Sequence, residues 1–214
     1  MNEDNKLRAL VSFAFSILYL SLCLLFIICD FLFNLKLYKL GILPLTLEGV
    51  KGVFLSHFIH SNIEHFISNS ISLGLLLFSL KYFYFFDAYY IFFSSTIFIN
   101  FLVWLFGRPA YHIGSSGIVF FLISFFLFSG FFSKNRTSSA LSLIALFLYG
   151  GIFMELSPSY NSNISWESHL FGFLLGIVYS FFYRNKIISE EIKYDWENEE
   201  ASFSADELKI RHDD

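Results

Sequence analysis

Charge is scarce in this chain. Of its 214 residues only 15% are Asp, Glu, Lys or Arg, while 56% are hydrophobic and 21% aromatic. The mean hydropathy is +0.60. Soluble domains carry about 25% charged residues, so this composition excludes an ordinary water-soluble fold. Proline is almost absent. The three that occur, Pro44, Pro109 and Pro158, all fall between the apolar runs, so no run carries a proline break. Cysteine is limited to Cys23 and Cys29. Six positions apart on a helix they face different directions, so no local bridge is expected and no redox compartment is implied. An internal repeat is also missing, which argues against a transporter built from paired broken helices. The net charge of −4 reflects the acidic C-terminal stretch, and no nucleic-acid partner is expected.

What is present is a series of apolar runs near the ~20 residues that cross a bilayer. They lie at 9–29, 63–82, 88–106, 114–132, 138–154 and 166–183. The expectation is an all-α membrane protein of six transmembrane helices, in contact with the lipid bilayer. A short polar head occupies 1–8, the membrane domain 9–184, and an acidic, solvated tail 185–214. The first run follows Lys6 and Arg8 and lacks a small-x-small cleavage site, so it reads as an uncleaved anchor. The connection at 30–62 mixes Lys36, Lys39 and Lys51 with apolar residues, as expected of a structured loop at the interface. With the N-terminus inside, Lys6, Arg8, Lys81, Lys134, Arg136, Arg184 and Lys186 all flank spans on the inner side. The basic bias places both termini in the cytoplasm.

Polar groups inside apolar runs are costly and tend to be placed for a reason. Gly114-Ser115-Ser116-Gly117 opens the fourth run after a polar loop at 107–113. Glycines let backbone approach a substrate, and the first-turn N–H groups of a helix are free to bind an anion. A serine here suits attack on a carbonyl, with its own amide holding the oxyanion. It equally suits a plain N-cap. In the sixth run His169, Gly172 and Gly176 share one face. Small residues there let a second helix come close, and His169 would meet that neighbour. It is either a general base for Ser116 or an interfacial histidine in a packing groove.

The second run opens with His57, His60, Glu64, His65 and Asn69. His65 and Asn69 are i, i+4 and form an uncharged donor pair suited to an oxyanion. His60, a turn earlier, suits bracing the loop through backbone carbonyls. The spacing of His57, His60 and His65 does not match the i, i+4 zinc pattern, and no carboxylate-rich partner loop accompanies it, so a metal site is not expected. Glu167 lies two residues before His169 and points elsewhere on the helix. Asp30 and Asp87 sit at span ends. A Ser–His dyad without an orienting acid is therefore expected.

The ordered set His60-x4-His65-x3-Asn69, Gly114-x-Ser116-Gly117 and His169-x2-Gly172-x3-Gly176 resembles the rhomboid family of intramembrane serine proteases. The likeness covers about 50–183. It implies a six-helix rhomboid bundle and a serine endopeptidase acting on transmembrane protein substrates without metal or cofactor. Ser116 would be the nucleophile and His169 its base. The Ser116 amide, His65 and Asn69 would form the oxyanion hole, with His60 a structural loop residue. Ser115 would keep a free side chain. Two positions depart from the pattern. Val50-Lys51-Gly52-Val53 replaces the Trp-Arg of many bacterial members, and Phe120 stands where a tyrosine often stacks on the histidine. A non-proteolytic relative that binds transmembrane clients is the alternative; the sequence leaves the oligomeric state open.

Overall fold

The computed structural model describes residues 3–133, 135–156 and 165–188, without the side chains of Ile152 and Phe153. Six long helices carry the fold: α1 Glu3–Phe33, α2 Ile63–Phe83, α3 Ala88–Phe106, α4 Ser116–Phe132, α5 Arg136–Tyr149 and α6 Trp166–Phe182. No strand occurs among the described residues; one isolated bridge pairs Ile42 with His112. Side chains cap two of the helices. Asn62 accepts from the His65 amide at 2.8 Å, and Asn135 from the Thr137 amide at 2.7 Å, each satisfying an orphan donor of the first turn.

Of these helices, α1, α2 and α3 are long and apolar enough to cross a membrane on length and composition alone. At 17 residues each, α4 and α6 reach ~25 Å. Their surroundings explain the economy: α4 starts below the rim, after a loop. It is also the centre of the bundle, with every residue from Gly117 to Phe126 buried. The outward surface is apolar instead, with Ile71 77%, Phe86 85% and Phe147 88% exposed. This is an integral membrane protein.

Lipid tails are as apolar as leucine, so contact between helices rests on close packing and hydrogen bonds. The α4–α6 seam has both. A Cβ on Gly172 would strike the carbonyl oxygen of Gly117, and one on Gly176 would strike Ser124 Oγ and the Phe121 carbonyl. Across the seam Ser124 Oγ donates to the Phe173 carbonyl at 2.6 Å. On the other flank Ser142 Oγ donates to the Leu127 carbonyl at 2.6 Å.

Several boundaries differ from the expected ones. Residues 3–8 are not a separate head but the first turns of α1, where Lys6 pairs with Glu3 at 2.9 Å. The fourth helix begins at Ser116 rather than at Gly114, whose φ of +108° is not helical. The span expected at 138–154 ends as an α-helix at Tyr149 and continues as a 3-10 stretch, Gly150–Leu156. Two successive glycines, Gly150 and Gly151, sit at that change and weaken helix continuation. Asn185 and Lys186, at the start of the expected tail, are exposed, and the chain then touches α2, where the Ile188 amide donates to the Phe83 carbonyl at 2.8 Å. The rest of that tail, 189–214, lies outside the described residues.

The connection at 34–62 folds into short helical turns anchored without the Trp-Arg pair. Trp104 Nε1 donates to the Thr46 carbonyl at 2.9 Å, and Asn100 Nδ2 to the Val53 carbonyl at 2.9 Å. Ile42 and His112 exchange both backbone hydrogen bonds at 2.9 Å. This last pair ties the connection directly to the loop that precedes α4.

Candidate active site

Gly114 is the hinge between that loop and α4. Its positive φ favours glycine, and a Cβ there would meet the His65 ring at 3.0 Å. The loop is held in place by the Gly114 amide, which donates to the Ser56 carbonyl at 3.0 Å. Ser115 then occupies the N-cap position but makes no capping hydrogen bond with its side chain. Its hydroxyl is not free, as expected from sequence, but meets His60 Nε2 at 3.1 Å, and Ser115 is 1% exposed. His60 accordingly braces the loop through this hydroxyl rather than through backbone carbonyls alone.

Ser116 is the first residue of α4, so neither its amide nor that of Gly117 has a helical acceptor. Its Oγ lies 2.9 Å from His169 Nε2. Gly172 makes this reach possible, because a side chain there would strike the Gly117 carbonyl, and a Cβ on Gly117 would sit tightly against Ser168 at 3.2 Å. Phe120, one turn on from Ser116, stacks on the His169 ring at 4.1 Å with 11° between planes. The ring alone holds the imidazole flat; no hydroxyl is needed for that.

The Ser116 and His169 side chains line a polar cavity of about 650 Å³ together with His65, Asn69, Tyr111 and Glu155. His65 Nδ1 is 3.2 Å from Ser61 Oγ, and its ring lies edge-on to His60 with centroids 5.2 Å apart. Asn69 spends one amide N–H on the His65 carbonyl at 3.0 Å, leaving its second N–H for the cavity. So the geometry brings together Ser116, His169, His65, Asn69 and Gly114, with His60 behind them. Gly176 lies further along the seam. No group of three or more His, Cys, Asp or Glu poised to hold a metal occurs among the described residues.

Two participants, His112 and Glu155, escaped the sequence reading, and a third, Glu167, was weighed there only as an orienting acid for His169. His112 is buried, with Nδ1 at 2.6 Å from Ser165 Oγ and Nε2 at 3.0 Å from the Arg108 carbonyl; Ser165 continues to Ser168 Oγ at 2.7 Å. Glu167 is also buried, against Arg108, whose Nε is 3.6 Å away. Glu155 approaches His169 Nδ1 from the 3-10 stretch. No spacing rule could find His112 and Glu155, since each reaches the cavity from a segment between the long helices. Burial lowers the pKa of His112, and drives that of His60 down to about 4 and of His57 to about 3. All three are therefore neutral at pH 7. Burial raises the pKa of Glu155.

A bundle of membrane helices with a serine and a histidine in contact at a polar cavity is the architecture these residues define. The Rhomboid domain family matches residues 48–186, and the chain belongs to that family. An uncharacterized protein of Mycobacterium bovis is 32% identical over 150 residues, covering 64% of this chain and 61% of the relative. One of Mycobacterium leprae is 27% identical over 191 residues, 82% of this chain and 72% of the relative. A protein of Acanthamoeba polyphaga mimivirus whose name contains the word rhomboid is 30% identical over 128 residues, 57% and 68% respectively. The chain thus aligns with 61% of the length of the first of these relatives. No solved structure matches.

Proposed function

We propose that this protein is an intramembrane serine endopeptidase that cleaves transmembrane protein substrates with Ser116 and His169. The observation that carries the reading is the 2.9 Å contact between Ser116 Oγ and His169 Nε2 at the wall of a polar cavity. In this scheme Nε2 takes the hydroxyl proton as Oγ attacks the scissile carbonyl carbon, and the carbonyl electrons move to its oxygen. The oxyanion meets the Ser116 amide, the free Asn69 N–H and His65. A Ser61 hydroxyl donating to His65 Nδ1 leaves the proton on Nε2, so that ring is a donor too. Collapse returns the proton from Nε2 to the leaving amine, and a water molecule releases the acyl group by the same path. The cavity supplies that water at membrane depth, where irregular backbone is tolerated because it lines a wet space. The basic residues flanking the spans favour both termini in the cytoplasm, and the mycobacterial relatives favour a bacterial plasma membrane.

A fluorophosphonate tests this directly: Oγ attacks phosphorus, fluoride leaves, and the adduct is covalent. Wild-type protein in detergent should label and should cleave a model transmembrane substrate. Ser116→Ala should lose both. Ser115→Ala should keep both while losing thermal stability, because it strands the buried His60 ring at a cost of ~1–3 kcal/mol. Labelling that persists in Ser116→Ala and vanishes in Ser115→Ala would assign the chemistry to the other hydroxyl. Intact binding of transmembrane clients by a wild type that neither labels nor cleaves would instead make the protein a client-binding relative.

A further inference from the structure

The second ring nitrogen of His169 has a partner of its own. Nδ1 lies 3.4 Å from the backbone carbonyl oxygen of Glu155 and 4.0 Å from its carboxylate Oε2. The rest of the ring is committed, with Nε2 on Ser116 and one face against Phe120. The carbonyl is longer than the 2.7–3.2 Å of a good N–H···O bond, whereas the carboxylate rides on a rotatable side chain at the cavity wall. Glu167, nearer in sequence, is turned instead toward Arg108, whose amide it accepts at 3.3 Å.

We propose that Glu155 is a positioning residue that orients His169, turning the serine–histidine pair into a Ser116–His169–Glu155 relay. The inference rests on the roles given to Ser116 and His169 above. An acceptor at Nδ1 keeps the proton there, so that Nε2 is the basic nitrogen facing Ser116. When Nε2 takes the hydroxyl proton, the ring becomes a cation that is itself largely buried, and the carboxylate beside it offsets that charge. Glu155 itself neither gains nor loses a proton; the transferred proton passes between Oγ, Nε2 and the leaving amine only.

Its position in the fold suits the task. Glu155 belongs to the 3-10 stretch Gly150–Leu156 that follows α5, and it lines the cavity together with His169. It is 38% exposed, while the imidazole beneath it is 3% exposed. The carboxylate therefore remains hydrated enough to ionise and still reaches a buried ring. The other ionisable groups acting on His169 are His65 from α2 and Glu167 from α6. Arg108 and His112 line the same cavity from the loop before α4, and α4 brings Ser116 and Phe120 to the ring. Glu155→Gln leaves each of these groups in the sequence, so the variant removes one carboxylate and nothing else.

The test compares wild type with Glu155→Gln, which preserves size and the backbone carbonyl. Selective 15N-histidine NMR on the full chain in micelles reads the tautomer and titration of His169 whether or not the protein cleaves anything. The wild type should show Nδ1–H, and Glu155→Gln should titrate at lower pH because the cation has lost its counter-charge. The fluorophosphonate labelling rate should fall about ten- to a hundred-fold, short of the ~10⁴-fold seen when a full triad's acid becomes an amide, since the Glu155 carbonyl persists. The acidic limb of the labelling profile should move the same way as the NMR titration. An unchanged His169 titration in a folded Glu155→Gln protein overturns the proposal. So does an unchanged labelling rate accompanied by poorer cleavage only of substrates with a basic residue near the scissile bond, which would make Glu155 a specificity residue. Absence of labelling in wild type would defeat the protease reading, while the NMR comparison would still decide the Glu155–His169 contact.

Discussion

Asn69 shows how a side chain can be half-employed. One of its N–H groups is fixed on the His65 carbonyl, so the residue is pre-aimed, and the other is available to an oxyanion. Asn69→Ala should therefore fold normally and lower turnover of a transmembrane substrate by at most the ~2.7–4 kcal/mol of one oxyanion donor. Full turnover in the variant would remove Asn69 from the site. At this scale much was legible in advance. Ser116, His65, Asn69 and His169 stand out because polar residues inside apolar runs are conspicuous. Ser115, His112 and Glu155 were not legible in the same way. They belong to loops or to a helix start, where polarity is ordinary, and their meaning comes only from what folds against them. Phe120 is an intermediate case: its spacing from Ser116 places it one turn on, but only the 11° ring geometry shows that an aromatic without a hydroxyl suffices.

Among the elements, the α4–α6 seam decides whether Ser116 and His169 meet. Gly172→Leu would drive a branched side chain into the Gly117 carbonyl, so activity and detergent thermal stability should decline together. A stable and fully active Gly172→Leu would mean that the two helices tolerate separation along the face bearing His169. The seam was readable because His169, Gly172 and Gly176 recur on one helical face. Element ends were not. Hydropathy alone ran the fifth span on to 154, whereas Gly150 and Gly151 release the chain into the stretch that delivers Glu155. Hydropathy also trimmed α1 to its apolar centre, although helical hydrogen bonding continues outward through Lys6 and Glu3.

The molecule as a whole carries a cluster of histidines held neutral outside the helices, and this sets its response to acid. His57 and His60 have folded-state pKa values depressed to about 3 and about 4, below the ~6.5 of an unfolded histidine. Between pH 6.5 and 4 the unfolded chain binds these protons and the folded one does not. Stability is thus complete above about pH 6.5 and falls as pH drops through that window, by up to ~1.4 kcal/mol per pH unit for each group. Thermal melts of Ser116→Ala in detergent should show this decline, and a melting temperature flat from pH 7.5 to 4.5 would contradict it. The contact at the centre of the molecule also has a history. Ser116 and His169 are 53 residues apart in sequence, and His169 lies on α6, the last long helix among the described residues. At ~5–20 residues per second of synthesis, Ser116 leaves the ribosome roughly 3–10 s before its histidine does. During that interval the nascent chain holds the hydroxyl without the histidine it meets in the folded protein, so on the reading proposed above it is inactive toward neighbouring membrane proteins until α6 arrives.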